Sequence, residues 1–448
     1  MTSIATLAPP MRRILTEVAE QAARECGCVK RVRQFSGATL IQTLVLGFLG
    51  APDASLSELC QQAASRGVPI SPQGLAQRFT RELAEALKQV LDAVVRETVV
   101  GDAVPLALLE RFSHVWVLDT TTISLPPELA AVWPGCGGRP GQGEAAVKVG
   151  VEIDLVTGCL RGPDLLAGRA PDRTTPLLEH DRSDTPDAPD APVGLSIRDL
   201  GFFSLDQLAA EHEQGGHWVT RLMAGTVVID AAGVSWTQPE LLAAQAGDVV
   251  DLPVRIGATA QLEARLLAER VPPAVARERR TRLQREARKK GQRVSTDRLA
   301  LAEWTVLVTS LSPDELTLDE ALALMRARWH IEQLFDLWKT HGGLDRSASA
   351  KPWRILAECY AKLIALVIQH WLILHGDWAA PNHSLVKAAR VVRRTVPLIA
   401  AALDAPQRLV EALQTIQHQL RHAGRLNTRK RHPNLWQRLD DPAATRLS

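Results

Sequence analysis

The sequence predicts a mixed α+β fold, with helical regions at both ends of the chain and a strand-rich centre. Ala- and Leu-rich periodic runs fill the first hundred residues, alternating and β-branched runs fill the middle, and apolar helical periodicity returns after residue 317. A chain of 448 residues is also longer than one hydrophobic core usually supports. We therefore expect several structural units.

Composition limits the class of protein. Apolar residues make up 46% and charged residues 23%, which predicts a folded chain. The net charge of +2 does not by itself indicate a nucleic-acid partner, so such a partner must be argued from local clusters. Six scattered cysteines form no CxxC pair, and the N-terminus lacks the pattern of a signal peptide. These features favour reduced thiols in a cytoplasm.

Residues 1–105 are predicted to be a helical, DNA-binding region. Turns are predicted at Gly50-Ala-Pro and at Gly67-Val-Pro. Residues 55–83 resemble two short helices joined by a turn, whose second helix, predicted over 72–85 with Arg78 and Arg81, could enter a DNA groove. A plain helical hairpin explains the same pattern equally well.

Strand patterns begin at His114, in the run HVWVLD that ends at Asp119. Helices are predicted after the second and third strands, and Asp199 ends the fourth. The remaining strands are predicted at 146–155, 160–166, 195–200 and 217–222. This order resembles a ribonuclease-H-like core, with its first part over 106–225.

Residues 226–301 are predicted to be a β-rich insertion that ends in a basic helix. Its strands are predicted at 226–229, 249–256 and 262–267, and the strand WTVLVTS then opens the second part of the core, 302–375. The apolar stretch 355–374 carries Glu358, Lys362, Gln369 and His370, which predicts a buried helix rather than a membrane span. Residues 376–448 are predicted to be helical and basic.

Two segments concentrate positive charge. Nine Arg or Lys accompany two Glu over 277–293, and six Arg or Lys without an acid lie over 421–438. Such runs favour DNA by neutralising phosphates, although a solvated helix face has the same composition. The candidate phosphate contacts are Arg279, Arg280, Arg288, Lys289, Lys290, Arg429, Lys430 and Arg431.

One long helix is predicted after residue 317. Thr317 and Glu320 have the spacing of a capping box, and Gly342-Gly343 mark the end, so the helix spans about six turns. One stripe of this helix contains Met325, Arg328, Glu332 and Lys339. A second stripe, predicted to be buried, contains Leu324, Ile331, Leu334 and Trp338. A surface helix with an ordinary Arg–Glu pair is the alternative interpretation.

Two further acids sit at predicted strand ends. Asp119 precedes three threonines, and Asp199 precedes Leu-Gly-Phe. In a folded core, Asp119, Asp199 and Glu332 could converge on a pair of Mg²⁺ ions, which prefer oxygen ligands and promote phosphoryl transfer. The rival acids Asp154 and Asp172 lie in turn-like contexts and are predicted to be surface residues.

The spacing R-x3-E-x6-K resembles the Y-x2-R-x3-E-x6-K signature of DDE transposases from the insertion-sequence group with an inserted β-domain. Arg328, Glu332 and Lys339 occupy the R, E and K positions, and Met325 stands at the Tyr position. LDTTTI and RDLGF look like the contexts of that family's two catalytic Asp residues, which would be Asp119 and Asp199. The resemblance covers roughly 50 to 375 of the chain.

The resemblance implies metal-dependent cleavage of DNA at transposon ends and strand transfer of the 3′-hydroxyl into target DNA. It implies two Mg²⁺ ions, with Mn²⁺ as a substitute, and phosphate contacts from Arg328 and Lys339. It also implies a homodimer in the synaptic complex, a nucleoid location in a bacterium and no membrane partner. In some family members an aromatic residue of the insertion stacks on a flipped base; Trp236 or Trp218 would do so here, although core packing is favoured for both.

Two alternatives remain open. One is a catalytically impaired DNA-binding relative that inhibits transposition, since Met at the Tyr position offers no hydroxyl to a phosphate. The other is a hydrolytic nuclease of the same fold that performs no joining step.

Overall fold

The computed structural model describes residues 4–29, 35–139, 142–178, 193–380, 383–425 and 434–443. It is a mixed α+β fold with helical terminal regions, as predicted. The α-helices are α1 Ala8–Arg13, α2 Ala19–Glu25, α3 Gly37–Gly50, α4 Leu56–Ser65, α5 Pro72–Ala76, α6 Arg81–Val95, α7 Leu205–Glu213, α8 Gln238–Ala243, α9 Pro273–Lys289, α10 Thr296–Leu301, α11 Leu318–Ala327, α12 Trp329–Asp336, α13 Pro352–Asp377, α14 Leu385–Ala402, α15 Pro406–Ala423 and α16 Leu435–Asp440. The strands are β1 Phe112–Leu125, β2 Pro134–Arg139, β3 Gln142–Asp154, β4 Leu160–Ala167, β5 Val193–Arg198, β6 His217–Arg221, β7 Val228–Ile229, β8 Ser235–Trp236, β9 Val249–Ile256, β10 Leu262–Arg270 and β11 Trp304–Thr309.

The chain divides into two compact units. Unit 1 comprises Met1–Pro105, Asp119–Ala170 and His330–Trp436. Unit 2 comprises Leu106–Leu118, Pro171–Trp329 and Gln437–Ser448. Strand β1 therefore gives its first half to unit 2 and its second half to unit 1.

Helix α13 is the central element of unit 1. It packs against α3, α6, α14 and α15, and nearly all of its side chains are buried. Among the described residues this is the one helix long and apolar enough to cross a membrane, and 94% of its most apolar window is buried inside the protein. The prediction of a buried helix over 355–374 is confirmed. Strands β2, β3 and β4 of the same unit pair antiparallel.

Unit 2 is built on one mixed sheet. The first half of β1 pairs parallel with β5, and β5 pairs parallel with β6. From β6 the order continues through β11, β10, β9, β7 and β8, with every pair antiparallel. The strands predicted at 249–256 and 262–267 are confirmed, and they extend this sheet directly from β11. The domain boundaries proposed at 226 and 301 stay a prediction.

Two predictions about the central strands were wrong. Strand β1 continues past Asp119 to Leu125 because the β-branched run Thr-Thr-Thr-Ile favours extended backbone. In the described residues no α-helix follows the second or the third predicted strand, which are β3 and β4 of the structure. A tight turn joins these two strands. An α-helix, α7, follows β5, which is the fourth predicted strand.

Asp154 makes that turn, and its predicted surface position was wrong. Its side chain is fully buried, with Oδ1 accepting from the Val156 N–H at 3.0 Å. Its Oδ2 accepts from the N–H of Thr157 at 3.1 Å and from the Thr157 hydroxyl at 2.6 Å. A carboxylate satisfied by turn amides is stable inside a protein.

The helix predicted over 72–85 was also wrong. The structure has the five-residue α5 and then a new helix, α6. The Thr80 side chain accepts from the Leu83 N–H and begins α6 there, because threonine is a favourable N-cap. Arg78 lies in the turn between the two helices.

Candidate active site

Residues 318–341, which we call the site helix, begin and end as predicted. Thr317 and Glu320 form a capping box. At the other end the Gly342 N–H donates to the Leu337 carbonyl at 2.8 Å, and Gly343 adopts a φ of +58°, which favours glycine. The buried Lys362 ammonium donates to the Gly343 carbonyl at 2.8 Å and fixes this end.

The interior of the site helix is less regular than predicted. The α-helix is interrupted at Arg328, between α11 and α12, and Leu337–His341 form a π-helical turn. The buried stripe is nevertheless confirmed, because Leu324, Ile331, Leu334 and Trp338 are each at most 1% exposed. The other stripe, Met325, Arg328, Glu332 and Lys339, is half-buried.

The segment before the site helix is anchored by a buried arginine of β10. Arg265 donates through Nη1 to the carbonyls of Ser312 and Leu316, at 3.0 and 2.6 Å. Its Nε donates to Asp251 on the neighbouring strand at 2.6 Å. These charge-assisted bonds fix the loop from which Thr317 begins the helix.

Asp199 follows directly after β5, as predicted. The preceding residue, Arg198, is buried and forms an ion pair with Glu211 of α7 at 2.5 Å, which fixes the end of the strand. The Asp199 side chain is 37% exposed, and its Oδ2 lies 4.0 Å from Nη2 of Arg328. All four residues belong to unit 2.

Asp119 and Lys339 belong to unit 1. Asp119 is half-buried in β1, and its Oδ1 accepts from the Thr120 N–H at 2.8 Å. The Lys339 ammonium donates to the Thr122 carbonyl at 3.0 Å. The site helix is thus bonded to the strand of Asp119, three residues beyond that acid, and Glu332 lies two turns earlier on the same helix.

Register in unit 2 relates the strand residues that precede the two aspartates. The parallel pairing of β1 with β5 places Val117 opposite Ile197. Asp119 and Asp199 each follow the paired residue by two positions.

The donor chemistry of the three acids fits a hard divalent cation, since all offer carboxylate oxygens. Over the described ranges, no group of three or more His, Cys, Asp or Glu side chains is arranged as a ready-made metal cluster. Asp172, the second rival acid, is half-buried in unit 2 beside Gly201.

The predicted basic helix is confirmed as α9, but its arginines differ in environment. Arg279 donates to the Trp304 carbonyl and the Thr305 hydroxyl, at 3.0 and 3.1 Å. Arg280 donates to the Leu299 carbonyl at 3.1 Å and pairs with Glu303. Arg288, Lys289 and Lys290 are exposed. The candidates Arg429, Lys430 and Arg431 lie outside the described residues.

Both tryptophans that were candidates for base stacking make contacts within the protein. Trp218 is fully buried in the core of unit 2, and Trp236 is half-buried with its Nε1 donating to Asp230 at 2.8 Å. Core packing, the favoured interpretation, is confirmed for Trp218. The sequence analysis did not single out Trp329, which is 60% exposed on the site helix next to Arg328. Its position on the helix face opposite the apolar stripe is the sequence signal that indicates its exposure.

Comparison with known proteins bears on this site. The family model described as "Transposase DDE domain" matches residues 110–368, more than half of the chain. The transposase for insertion sequence element IS231F of Bacillus thuringiensis subsp. israelensis is 26% identical over 93% of this chain and 91% of its own length. The transposase for insertion sequence element IS1151 of Clostridium perfringens is 22% identical over 72% of this chain and 70% of its own. The putative transposase InsL for IS186A of Escherichia coli K12 is 32% identical over 38% of this chain and 45% of its own.

Proposed function

The chain belongs to the family of transposases with a DDE domain, and we propose that it cuts DNA at the ends of a mobile element. In this proposal it then joins the freed 3′-hydroxyl to target DNA. The observation that carries the proposal is the site helix, where Arg328, Glu332 and Lys339 share one half-buried stripe and Arg328 approaches Asp199. The family match and the names of the relatives support the same activity.

We assign the acidic triad to Asp119, Asp199 and Glu332. Val117 and Ile197 are paired in the two strands, and each aspartate follows its paired residue by two positions, which supports this assignment. The hydrogen bond from Lys339, on the helix of Glu332, to Thr122, on the strand of Asp119, supports it as well. The parallel pairing of β1, β5 and β6, together with the antiparallel β3–β4 hairpin, supports a ribonuclease-H-like core. A β-rich insertion over 226–301 belongs to this interpretation.

The three carboxylates would hold Mg²⁺, or Mn²⁺ in its place, and two bound ions would supply Lewis-acid stabilisation of charge at the phosphate. The protein's own contribution is positioning. Arg328 offers a planar guanidinium suited to a phosphate, and Lys339 offers a point charge already fixed beside β1. Exposed cations of α9 would contact the DNA backbone on either side of the cut. A homodimer that holds both ends in the bacterial nucleoid completes the proposal.

Replacing each acid by Ala tests the triad. Asp119→Ala, Asp199→Ala and Glu332→Ala are each expected to abolish cleavage of end DNA, with affinity for that DNA kept within a few fold, because phosphate contacts dominate binding. Asp172→Ala is the matched control and is expected to cut. A triad variant that cuts like the unaltered protein removes that acid from the site.

The products separate the alternative functions. Joined strand-transfer products are expected alongside cut ends. Cut ends without joined products would identify a hydrolytic nuclease, and end binding without cutting at any Mg²⁺ or Mn²⁺ concentration would identify a DNA-binding inhibitor.

A further inference from the structure

The C-terminal end of the site helix is held by two cationic side chains from other helices of unit 1. Lys362 lies on α13 and Arg393 lies on α14. The Lys362 ammonium donates to the carbonyls of Gly343 and Arg346, at 2.8 and 2.6 Å. Nη2 of Arg393 donates to the His341 carbonyl at 2.5 Å. We call Lys362 and Arg393 the anchoring cations.

The end of a helix suits such cations. A helix leaves its last carbonyl groups without partners inside the helix, and this end carries the negative pole of the helix dipole. Lys362 is 3% exposed, and its ammonium also lies 5.2 Å from the centre of the Phe48 ring of α3. Burial lowers the pKa of Lys362, although the nearby carboxylates of Glu358 and Asp53 act in the opposite direction. A buried charge is costly unless it is satisfied, so the contacts at this helix end explain why α13 carries a lysine here.

The anchored carbonyls lie at and just after a π-helical turn, Leu337–His341, which we call the π-turn. The Gly342 N–H donates to the Leu337 carbonyl, five residues earlier, at 2.8 Å. A π-helical turn contains one more residue than an α-helical turn. Its relaxation to α-helix would rotate the residues after it by about 100° relative to the residues before it. Because that rotation would break the bonds to residues 341, 343 and 346, the anchoring cations stabilise the π-turn.

Lys339 is the third residue of the π-turn and follows Glu332 by seven positions. Its ammonium donates to the Thr122 carbonyl of β1 at 3.0 Å. In a continuous α-helix seven residues make almost two full turns, which would keep Lys339 nearly in line with Glu332. The extra residue of the π-turn changes this angle. The direction of the Lys339 side chain therefore depends on the π-turn and on the contacts that hold it.

We propose that Lys362 and Arg393 are positioning residues for Lys339. By holding the π-turn, they set the direction in which the Lys339 ammonium meets a DNA phosphate, and neither anchoring cation touches DNA itself. The proposal rests on the proposed function, because the phosphate contact of Lys339 is assigned there. It extends that function to polar residues of α13 and α14 that lie outside the acidic triad.

DNA binding without cleavage tests the proposal. The full chain would be titrated, with EDTA present and at several salt concentrations, against a fluorescein-labelled duplex that carries the inverted repeat of its element. Lys339→Gln is expected to lose about tenfold in affinity. It should also lower the slope of log Kd against log salt by about 0.9, as for one lost phosphate contact. Lys362→Met and Arg393→Met are each expected to lose affinity and slope in the same way.

Combination with Lys339→Gln separates positioning from a merely structural role. If the anchoring cations act through Lys339, Lys362→Met and Arg393→Met cause no further loss of affinity or slope in the Lys339→Gln background. Equal losses in the two backgrounds would overturn the proposal. So would an unchanged slope in Lys339→Gln alone, since no phosphate contact would then exist for the anchoring cations to position.

Two control variants match these substitutions. Gln42→Met removes another buried donor of unit 1, whose Nε2 donates to the Leu15 carbonyl at 2.6 Å. It is expected to lower Tm and to leave the salt slope unchanged, and a fall of the slope as large as in Lys362→Met would contradict the proposal. Arg394→Met removes the same charge as Arg393→Met from an exposed position on α14, and its effect is expected to be equal in both backgrounds. Arg393 is half-buried, so its variant carries the test if Lys362→Met does not fold.

Failure of the proposed function gives a different result. If Asp119→Ala, Asp199→Ala and Glu332→Ala all cut like the unaltered protein while the losses depend on Lys339, the triad is wrong and the positioning role stands. If the triad variants are inactive while the losses add to that of Lys339→Gln, the positioning role is wrong and the triad stands.

Discussion

The guanidinium of Arg328 lies 4.0 Å from the carboxylate of Asp199, and both side chains are partly exposed to solvent. One belongs to the site helix and the other follows β5, so the pair joins two elements of unit 2. A cation at this distance competes with any metal ion for the same carboxylate. In the proposed site this pair would couple phosphate binding to metal binding.

Arg328→Gln tests this coupling. A charge at 4 Å in water-like surroundings changes the energy by about 1 kcal/mol, so its removal is expected to lower the half-saturating Mg²⁺ concentration by about fivefold. The cleavage rate at saturating Mg²⁺ is expected to fall, since the phosphate loses its guanidinium. Initial cleavage rates against MgCl₂ measure both, with Arg277→Gln as a control. An unchanged half-saturating concentration would place Arg328 away from the metal.

Met325→Tyr tests the other position of the same stripe. A hydroxyl that reaches a phosphate gains a hydrogen bond to a charged group, worth about 1.5 to 3 kcal/mol, so cleavage is expected to rise by roughly tenfold. Met325 is half-buried, so part of its side chain contacts solvent. Rate and Tm should be measured together. A fall in Tm without a gain in rate would mean that the ring overpacks the core, at a cost of about 1 to 3 kcal/mol, and that Met325 does not face the DNA.

The exposed side of α9 is expected to contribute to the salt dependence of duplex binding. Replacing Arg288, Lys289 and Lys290 by Gln should lower the slope of log Kd against log salt by about 0.9 for each DNA phosphate that the protein no longer neutralises. Arg279→Gln is the contrast. Because it leaves the Trp304 carbonyl and Thr305 hydroxyl without a donor, it should cost about 1 to 3 kcal/mol of folding free energy. Equal slopes before and after the triple substitution would assign these cations to solvent.

A buried histidine cluster in unit 1 gives an expected pH dependence of stability. His330 and His370 are fully enclosed with Trp378 between them, and the Nε2 of His330 has no hydrogen-bond partner among the described residues. Burial lowers the pKa of His330 to about 3 and that of His370 to about 4. Nearby histidine charges act in the same direction at His330.

Both histidines stay neutral in the folded chain, whereas the unfolded chain takes up protons below about pH 6.5. The unfolding free energy is therefore expected to fall as the pH drops from about 6.5 towards 4. The loss is at most about 1.4 kcal/mol per pH unit for each histidine. Tm measured against pH checks this, with His330→Leu expected to flatten the curve. The same slope in that variant would exclude His330 as a contributor.

How far the sequence predicts this structure depends on the range of the interactions. The site helix begins at Thr317 and ends at Gly342-Gly343 because capping and left-handed backbone are local properties. No local sequence signal predicts the interruption of this helix at Arg328 or its π-helical turn. The end of β1 was predicted too early, because the β-branched run after Asp119 contains no residue that ends a strand.

The surroundings of the basic residues depend on contacts that are distant in sequence. Charge alone could not distinguish the roles of Arg279 and Arg288. The guanidinium of Arg279 donates hydrogen bonds to residues 304 and 305, whereas Arg288 is exposed. The cleft lined by Arg221, Arg282 and Arg298 joins residues from β6, α9 and α10, so no window of the sequence contains it. Asp154 was misjudged for the same reason, because its turn is enclosed by unit 1.

The division of the chain between the two units has a consequence for synthesis. Unit 1 needs residues near the start of the chain, residues 119–170 and residues 330–436, so it cannot be completed until the ribosome has passed the site helix. A chain that stops before residue 330 carries Asp119 and Asp199 but lacks Glu332, Lys339 and the central helix α13. Premature termination or proteolysis in that region therefore yields fragments without the complete proposed triad, and only a chain that extends past the site helix holds all three acids.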